Sequence, residues 1–460
     1  MIDNSSNLHV LHVLANSSPD LNGYAIRSHD LLVAQSQQKV AQVTAITSPF
    51  YPRNQNLQNY HELDGIRYFR STTKSQQAPK RKKFEPKNFF IKAPYYSFKK
   101  FFRLSKRLFK PILRFYTLAK KFFHLQKMMK KFEKDIIHLA NAKNIDVIHG
   151  HTPFRVGLPA MRAAKKIGLP YVHEMRGLWE DSAVAQGRWK TKSIRYKVFR
   201  YFENKILKDA DAVVTISIAL KHDVLERAPH LRNRIFVVPN SVGLSFQNID
   251  TKNIENEDLT KIKDDLSKLV EGPVVGYIGS LRHLEGVDYT AKAVEICKRE
   301  GVNFRFFVCS SPKNQDQLKD YCDDLGISDR SLITGPISHK EIQKVYPLID
   351  YFVVSRPRFR VTEKVPPIKP LEAMYLGIPT ICSNLEALAE NIVHGSTGFL
   401  FEPNNSEELA TLLIKLHKDD KVDVSLVSKQ GKEFIHEHRM WYKNVLIYNE
   451  VYDFVTKPTS

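Results

Sequence analysis

The sequence predicts an α/β protein built from two doubly wound domains that face each other across a cleft. Three observations support this fold class. In the first half of the chain, short apolar runs alternate with helical patterns, as expected for parallel strands joined by helices. A second α/β repeat begins near Val274 and ends near Lys418. The chain has 460 residues, 42% of them hydrophobic, which is enough to bury two ordinary cores.

Short apolar runs predict five strands of the first domain, at residues 8–14, 40–47, 147–150, 171–174 and 212–216. Residues 192–207 form a predicted helix between the last two strands, with an apolar face toward the core. The loop 16–23 follows the first strand, and ligands of such sheets bind beyond the carboxyl ends of strands. Gly23 therefore either lets backbone amides approach an anionic or hydroxyl-rich ligand or is a plain turn glycine.

The composition divides the chain into four parts. Residues 1–244 form the first domain, 245–272 a polar linker with its flanking helix, 273–430 the second domain, and 431–460 a C-terminal amphipathic helix.

Cysteine usage and the distribution of apolar residues bear on the compartment. The four cysteines all lie in the second half without the close spacing of metal ligands, so we expect reduced structural thiols, which favours the cytoplasm. The first 20 residues lack a basic n-region, and His9 and His12 interrupt their apolar run. This start predicts a buried strand and not a signal peptide. No apolar run approaches 18 residues, so no transmembrane helix is expected.

The segment 356–401 places cations, a carboxylate and a helix start close together. Three prolines between 366 and 370 prevent a long helix there. Residues 371–374 are good helix formers, and the helix that they predict ends at Gly377. Glu372 is therefore predicted in a first helical turn. There the helix dipole favours its carboxylate, which can accept hydrogen bonds from a hydroxyl pair such as a ribose diol. The segment predicts a site for a sugar nucleotide.

Several motifs in a fixed order carry a family resemblance. They are LNGYAIRS (21–28), HEMRGLWED (173–181), VVPNSV (237–242), YIGS (277–280) with Glu285-Gly286, Pro357-Arg358, RVTE (360–363) and PIKPLEAM (367–374). In these segments the chain resembles the family 4 glycosyltransferases. It looks most like the exosortase-associated and colanic-acid-type enzymes of polysaccharide biosynthesis, whose donor segment reads PR, RLTE and PLKPLEAM. The motifs cover almost the whole chain except residues 74–134.

The resemblance implies the GT-B fold, in which two Rossmann-like domains face a cleft. The first domain lies on the acceptor side, the second binds the donor nucleotide, and the last helix crosses back to the first domain. The resemblance also implies transfer from a nucleotide-diphosphate sugar with retention of configuration. This sugar nucleotide is a co-substrate, and no metal and no other cofactor is expected.

The site residues follow from the matching motifs and from the need to neutralise a diphosphate leaving group. Arg282 and Lys369 are expected at the diphosphate with Arg358 or Arg360 as a third cation, although each could be an ordinary surface cation. His173 is expected beside the donor sugar, although a lone histidine is more often structural. The other residues expected at the nucleotide sugar are Gly23, Gly279, Ser280, Glu285, Glu363 and Glu372.

The chain departs from the wider family at two donor positions, and the subgroup shares both departures. Many members have two acidic residues with seven between them, but here Lys364 stands eight before Glu372, and Glu363 lies one earlier. Glu285 replaces the usual basic residue of the first donor loop. Lys369 could compensate for this loss, and the nucleotide base stays open.

Residues 74–134 have the most unusual composition. They contain 20 Lys or Arg against Glu85 and Glu133, and so contribute +18 of the formal net charge of +21. Fourteen Phe or Tyr residues are interleaved with these cations, and those from Phe98 to Tyr116 recur at near-helical spacing. This pattern is typical of an interfacial helix on anionic lipid, on the inner membrane surface. A basic helical insertion packed on its own domain is the alternative. Nucleic acid is not expected, because no binding motif accompanies the charge.

These observations predict a glycosyltransferase that uses a nucleotide-diphosphate sugar, and a UDP-sugar is the expected donor. Its expected acceptor is a lipid-linked saccharide of capsule, O-antigen or exopolysaccharide synthesis, at the cytoplasmic face of the plasma membrane. Two alternatives stay open. One is a UDP-sugar 2-epimerase of the same architecture, and the other is a catalytically silent, membrane-peripheral assembly protein.

Overall fold

The computed structural model describes residues 8–20, 22–50, 60–71, 120–247, 257–337 and 341–457. They form two α/β domains, each with a largely parallel sheet covered by helices on both faces. This architecture confirms the fold class predicted from the alternation of apolar runs and helical patterns.

The first domain contains an eight-stranded sheet in the order β3-β4-β2-β1-β5-β6-β7-β8. Every neighbouring pair is parallel except β3 and β4. Strands buried on both faces read as continuous apolar runs, which is why the sequence revealed β1, β2, β5, β6 and β7. The strands are β1 His9–Leu14, β2 Gln42–Thr47, β3 Tyr60–Leu63, β4 Ile66–Arg70, β5 Val147–His151, β6 Tyr171–Met175, β7 Ala212–Thr215 and β8 Ile235–Val237.

Helices cover both faces of this sheet, and polar caps define several helix starts. The side chains of Asn22, Ser193 and Ser217 accept backbone hydrogen bonds at the starts of their helices. The helices are α1 Gly23–Gln37, α2 (120–142), α3 Phe154–Ile167, α4 Trp179–Ala185, α5 Ile194–Asp209, α6 Ile218–Arg227 and α7 Leu244–Gln247.

The second domain contains a six-stranded parallel sheet in the order β11-β10-β9-β12-β13-β14. Its strands are β9 Val274–Ile278, β10 Arg305–Cys309, β11 Ser331–Thr334, β12 Tyr351–Val354, β13 Thr380–Ser383 and β14 Phe399–Phe401. Its helices are α8 Glu257–Ser267, α9 Val287–Arg299, α10 Gln315–Asp324, α11 Ile342–Val345, α12 Arg360–Lys364, α13 Lys369–Tyr375, α14 Glu386–Ala389, α15 Ser406–Lys418 and α16 Val424–His438.

The chain returns to the first domain after α16. Met440 forms a bridge with Val242, and two helices follow, α17 Trp441–Asn444 and α18 Ile447–Thr456. Their buried aromatic rings, Trp441 among them, pack with the core of the first sheet. The sequence-based division at 430/431 falls inside α16, and the division at 244/245 falls inside α7.

Only the end of the basic segment 74–134 belongs to the described residues. It forms the start of α2, and Met129 and Phe132 are fully buried against the core of the first domain. The interfacial helix predicted from residues 98–116 lies outside the described residues. Within the part of the chain that the structure describes, no helix has the length and apolar character needed to cross a membrane.

Candidate active site

The start of α13 brings together two of the residues predicted at the donor. Lys369 and Glu372 are one turn apart, and the Lys369 Nζ lies 2.9 Å from Glu372 Oε2. The buried Tyr346 hydroxyl donates to the same oxygen at 2.5 Å. Pro370 occupies the first turn, where its missing N–H costs no helical bond. Lys369 is 30% exposed, so an ammonium group next to a fixed carboxylate remains accessible to a ligand.

The loop after β9 holds a second group of predicted residues. Arg282 donates to Ser280 Oγ at 3.2 Å and to Glu285 Oε1 at 2.5 Å. Gly286 ends the loop with φ at +66°, and a Cβ there would lie 2.0 Å from the Ser355 carbonyl oxygen. The loop thus packs directly against the segment after β12, an approach that only glycine permits.

Arg356 is a site residue that sequence reasoning missed. It lies at the end of β12, buried, and donates from Nε and Nη2 to Glu285 Oε2 at 2.9 and 2.8 Å. Its Nη1 reaches the Val365 carbonyl oxygen at 3.1 Å. Glu285 therefore holds two guanidinium groups, those of Arg282 and Arg356. The signals in the sequence were its place at the start of the cation-rich segment 356–401 and its position two residues after an apolar strand.

The other predicted cations are engaged elsewhere. Arg358 is half exposed and lies 2.8 Å from Glu363 and 2.9 Å from Glu402. Arg360 extends to the first domain, where it pairs with Asp223 and lies 3.4 Å from Asp181. The structure therefore places Arg358 with Glu363 and makes Arg360 a link between the domains.

The structure places His173 inside the first domain. It lies on β6 and is fully buried under α3, where a Cβ on Gly157 would approach its ring to 2.9 Å. The Tyr171 hydroxyl lies 3.0 Å from its Nδ1, and Glu203 Oε2 lies 3.9 Å from its Nε2. Burial lowers the pKa of His173 to about 3, so this imidazole is neutral at pH 7.

Glu174 follows His173 and faces the opposite side of the sheet, as strand alternation requires. It is fully buried. Arg27 and Arg176 donate to its Oε1 at 2.6 and 2.7 Å, and the Tyr448 hydroxyl of α18 donates to its Oε2 at 2.6 Å. Burial opposes ionisation, but the two arginines outweigh it and hold the pKa of Glu174 well below its usual range.

Three buried histidines adjoin Glu174. The ring nitrogens of His12, His149 and His151 lie within 4.8 Å of one another, close enough to hold a metal ion. Burial lowers the pKa of all three, so they are neutral ligands at pH 7. However, His12 Nδ1 and His151 Nε2 already form a hydrogen bond of 3.0 Å, and His149 Nδ1 lies 3.0 Å from the Tyr452 hydroxyl. The remaining nitrogens, His149 Nε2 and His151 Nδ1, make no hydrogen bond and lie 3.2 and 3.7 Å from Glu174 Oε2.

The first turn of α1 lies at the surface beside these histidines. Gly23 is exposed and has no atom within 4 Å of a hypothetical Cβ. Its φ does not demand glycine, so backbone geometry gives no reason for glycine at this position. Asn22, which caps the helix, accepts from the Ala25 N–H at 3.0 Å.

Hydrogen bonds join the two domains beside the carboxyl end of the first sheet. Asn240 accepts from Arg27 Nε at 2.7 Å and donates to the Pro366 carbonyl oxygen at 3.1 Å. Ser217 donates to the Lys364 carbonyl oxygen at 2.7 Å. The carboxyl end of the first sheet therefore lies close to the segment that leads into α13, and a bound molecule can contact both domains there.

Two family models match the chain in consecutive parts. The model described as Glycosyltransferase Family 4 matches residues 78–246, and the model described as Glycosyl transferases group 1 matches residues 258–433. The boundary between the matches falls between the two domains of the structure.

Curated relatives and solved structures agree with these matches. The capsular polysaccharide biosynthesis glycosyltransferase CapM of Staphylococcus aureus is 23% identical over 327 residues, covering 64% of this chain and 79% of the relative. The sucrose-phosphate synthase of Thermosynechococcus elongatus superposes with a TM-score of 0.69 at 16% identity, covering 97% of this chain and 98% of that one.

A third similar protein was solved with a sugar nucleotide. Anabaena Alr3699/HepE in complex with UDP-glucose superposes with a TM-score of 0.63 at 13% identity, covering 97% of this chain and 99% of that one. At this identity the structural likeness concerns the fold. The two family models and the curated relative thus show similarity to glycosyltransferases in two consecutive parts of the chain, the first part matching the family 4 model.

Proposed function

We propose that the protein is a retaining glycosyltransferase that moves a sugar from a nucleotide-diphosphate sugar, with a UDP-sugar as the first candidate. The observation that carries the proposal is the Lys369–Glu372 pair at the start of α13, three residues after Pro366, whose carbonyl oxygen accepts from Asn240 of the first domain. A carboxylate in a first helical turn suits a ribose diol, and the neighbouring ammonium suits a diphosphate. The similar Anabaena protein in complex with UDP-glucose supports the choice of base.

In this proposal the positive charge needed by the leaving diphosphate comes from side chains. Lys369 and Arg282 supply it directly, and Glu285 fixes the orientation of Arg282 and Arg356. Such preorganised charge stabilises a leaving group without rearrangement during the reaction. Because the sugar and the acceptor hydroxyl would meet between the domains, water would be largely excluded from the reacting carbon. No metal ion is required, so we expect activity to survive a chelator.

A thermal-shift panel of UDP, GDP, CDP and dTDP with their common sugars tests the donor site. We expect one nucleotide family to stabilise the wild type, and we expect Glu372→Ala and Lys369→Ala to lose most of that shift. Lys292→Ala is the matched control, because Lys292 also pairs with a glutamate three residues later at 2.9 Å. The proposal fails if no nucleotide at millimolar concentration stabilises the wild type.

The stereochemical outcome needs its own experiment. Once the donor is known, the anomeric configuration of the product is read by proton NMR during the first turnovers. An α-linked sugar nucleotide must give an α-linked product if the enzyme retains configuration. A β-linked product excludes retention and leaves the donor-site assignment intact.

We also propose a lipid-linked saccharide as the acceptor, reached from the cytoplasmic face of the plasma membrane. The similar CapM protein is named for capsular polysaccharide biosynthesis. At the start of α2, Phe122 and Phe123 are 40% and 72% exposed and follow two lysines, and these residues belong to the basic aromatic segment 74–134. Exposed aromatic and basic side chains favour anionic lipid. Sedimentation with phosphatidylglycerol vesicles should remove the protein from solution, and phosphatidylcholine vesicles should not.

A further inference from the structure

The buried centre of the first domain contains more positive than negative charge. Arg27 and Arg176 are 5% and 8% exposed, and both donate to the single carboxylate of Glu174. The adjoining histidines are neutral because burial lowers the pKa of each. Asp30 also faces Arg27, but burial raises the pKa of this carboxyl to about 7. Two guanidinium groups therefore face one ionised carboxylate and one that is only partly ionised at pH 7, and part of their charge is left without a counter-charge, which is costly inside a protein.

Each of the two guanidinium groups lies over an aromatic ring, Arg27 5.4 Å from the centroid of Trp441 and Arg176 5.0 Å from that of Tyr24, and each also has a nitrogen without a hydrogen-bond partner. Arg27 uses Nη1 for Glu174 and Nε for Asn240, and Arg176 uses Nε for Glu174 and Nη1 for Ser28. The Nη2 atoms of both arginines are buried and make no hydrogen bond. A buried donor that remains unpaired loses its hydration without compensation. The two arginines share the Glu174 carboxylate, and the unpaired Nη2 atom of each suggests that a ligand oxygen completes the arrangement.

The location of the two arginines is suited to a substrate group. Arg27 lies on α1, one turn beyond the exposed start of that helix, and Arg176 directly follows β6. Ligands of doubly wound sheets bind at this edge. Asn240 connects Arg27 to Pro366 of the second domain, so the arginines lie beside the region where the domains meet. Both guanidinium planes are fixed by two hydrogen bonds each, and they are therefore preorganised to bind an oxyanion.

We propose that Arg27 and Arg176 form an oxyanion subsite that binds a phosphate or carboxylate group of the acceptor. This inference rests on the proposed function, because it assigns the diphosphate of the donor to Arg282 and Lys369 of the second domain. The acceptor then carries its own negative group, which is either the phosphate that links a saccharide to lipid or the carboxylate of an acidic sugar. In both cases the surplus charge of the first domain is compensated when the acceptor binds.

Thermal-shift titration with inorganic phosphate and with glucuronate, against chloride at equal ionic strength, tests the subsite. The probe that binds more tightly identifies the group on the acceptor. We expect a rise in Tm of the wild type that adds to the rise caused by the stabilising nucleotide. Arg27→Gln and Arg176→Gln should each weaken anion binding about tenfold or more. Glu174→Gln should strengthen it, because the competing carboxylate is removed.

Each shift is measured from the variant's own Tm, so lower stability does not obscure the result. If the glutamine variants do not fold, Arg176→Lys replaces them, because it keeps the charge but loses the planar pair of N–H donors. The Glu174→Gln result does not depend on these variants. Arg200→Gln is the control, because Arg200 pairs with Glu180 and Asp181. Its anion-dependent shift should equal that of the wild type.

Three results would overturn the inference: no stabilisation of the wild type by either anion, mutual exclusion of anion and nucleotide, or an equal loss of binding in Arg200→Gln. Mutual exclusion would assign the arginines to the donor diphosphate. Nucleotide stabilisation without anion stabilisation refutes only the oxyanion subsite. Anion stabilisation without any nucleotide effect refutes the proposed donor chemistry.

Discussion

Replacement of Gly286 by alanine tests how tightly the donor loop is packed. Gly286 is buried between the loop after β9 and the segment after β12, with φ at +66°. A Cβ at this position would lie 2.0 Å from the Ser355 carbonyl oxygen and 2.9 Å from Pro357 Cδ. The first contact involves backbone, which cannot rotate away as a flexible side chain would. The substitution must therefore move one of the two loops.

The expected cost has two parts. An alanine with left-handed backbone angles lowers the free energy of unfolding by about 1–2 kcal/mol, because its Cβ approaches the following carbonyl oxygen. Overpacking against a fixed neighbour adds about 1–3 kcal/mol. Gly301 separates these parts, because it has φ at +71° but no atom within 4 Å of a hypothetical Cβ. We expect Gly301→Ala to show the backbone cost alone and Gly286→Ala to be less stable by about 2 kcal/mol beyond that.

Urea unfolding followed by far-ultraviolet circular dichroism measures both variants against the wild type. Because Gly286 adjoins Glu285, the Gly286 variant should also bind the stabilising nucleotide more weakly, whereas Gly301→Ala should bind it normally. If both glycine variants lose the same free energy of unfolding, the packing argument is wrong. Equal nucleotide binding in both would show that the loop position does not matter for the donor.

Two further predictions concern buried groups of the first domain. Burial raises the pKa of Glu203 to about 8, so between pH 4.5 and 8 the folded state holds a proton that the unfolded state has lost, and stability falls as pH rises. In urea unfolding, Glu203→Gln should match the wild type near pH 5 and exceed it by a few kcal/mol at pH 8, whereas the exposed Glu226→Gln should show no such difference. Tyr448→Phe removes the 2.6 Å hydrogen bond to Glu174 and should lower the free energy of unfolding by about 1.5–3 kcal/mol. Tyr442→Phe, whose side chain is 42% exposed, should leave it almost unchanged. Equal losses in the two variants would refute the role assigned to this bond.

The sequence by itself determined the fold class and the local arrangement of the donor helix. Apolar runs located five strands of the first sheet to within about two residues, because strands buried on both faces leave a continuous apolar pattern. Proline placement and helix propensity located the start of α13 near Lys369 and put Glu372 in its first turn. Both depend on interactions between near neighbours in the chain, which a sequence displays directly.

Tertiary structure decided which charged groups meet. Glu285 pairs with Arg356, 71 residues away, and Glu174 meets Arg27 and Tyr448, 147 and 274 residues away. Arg360, whose motif predicts a place near the donor, pairs with Asp223 of the first domain. Strand alternation predicts that His173 and Glu174 face opposite sides, but which side α3 or α18 covers depends on the path of the whole chain. Such partners are set by the packing of distant elements, and local pattern carries no information about them.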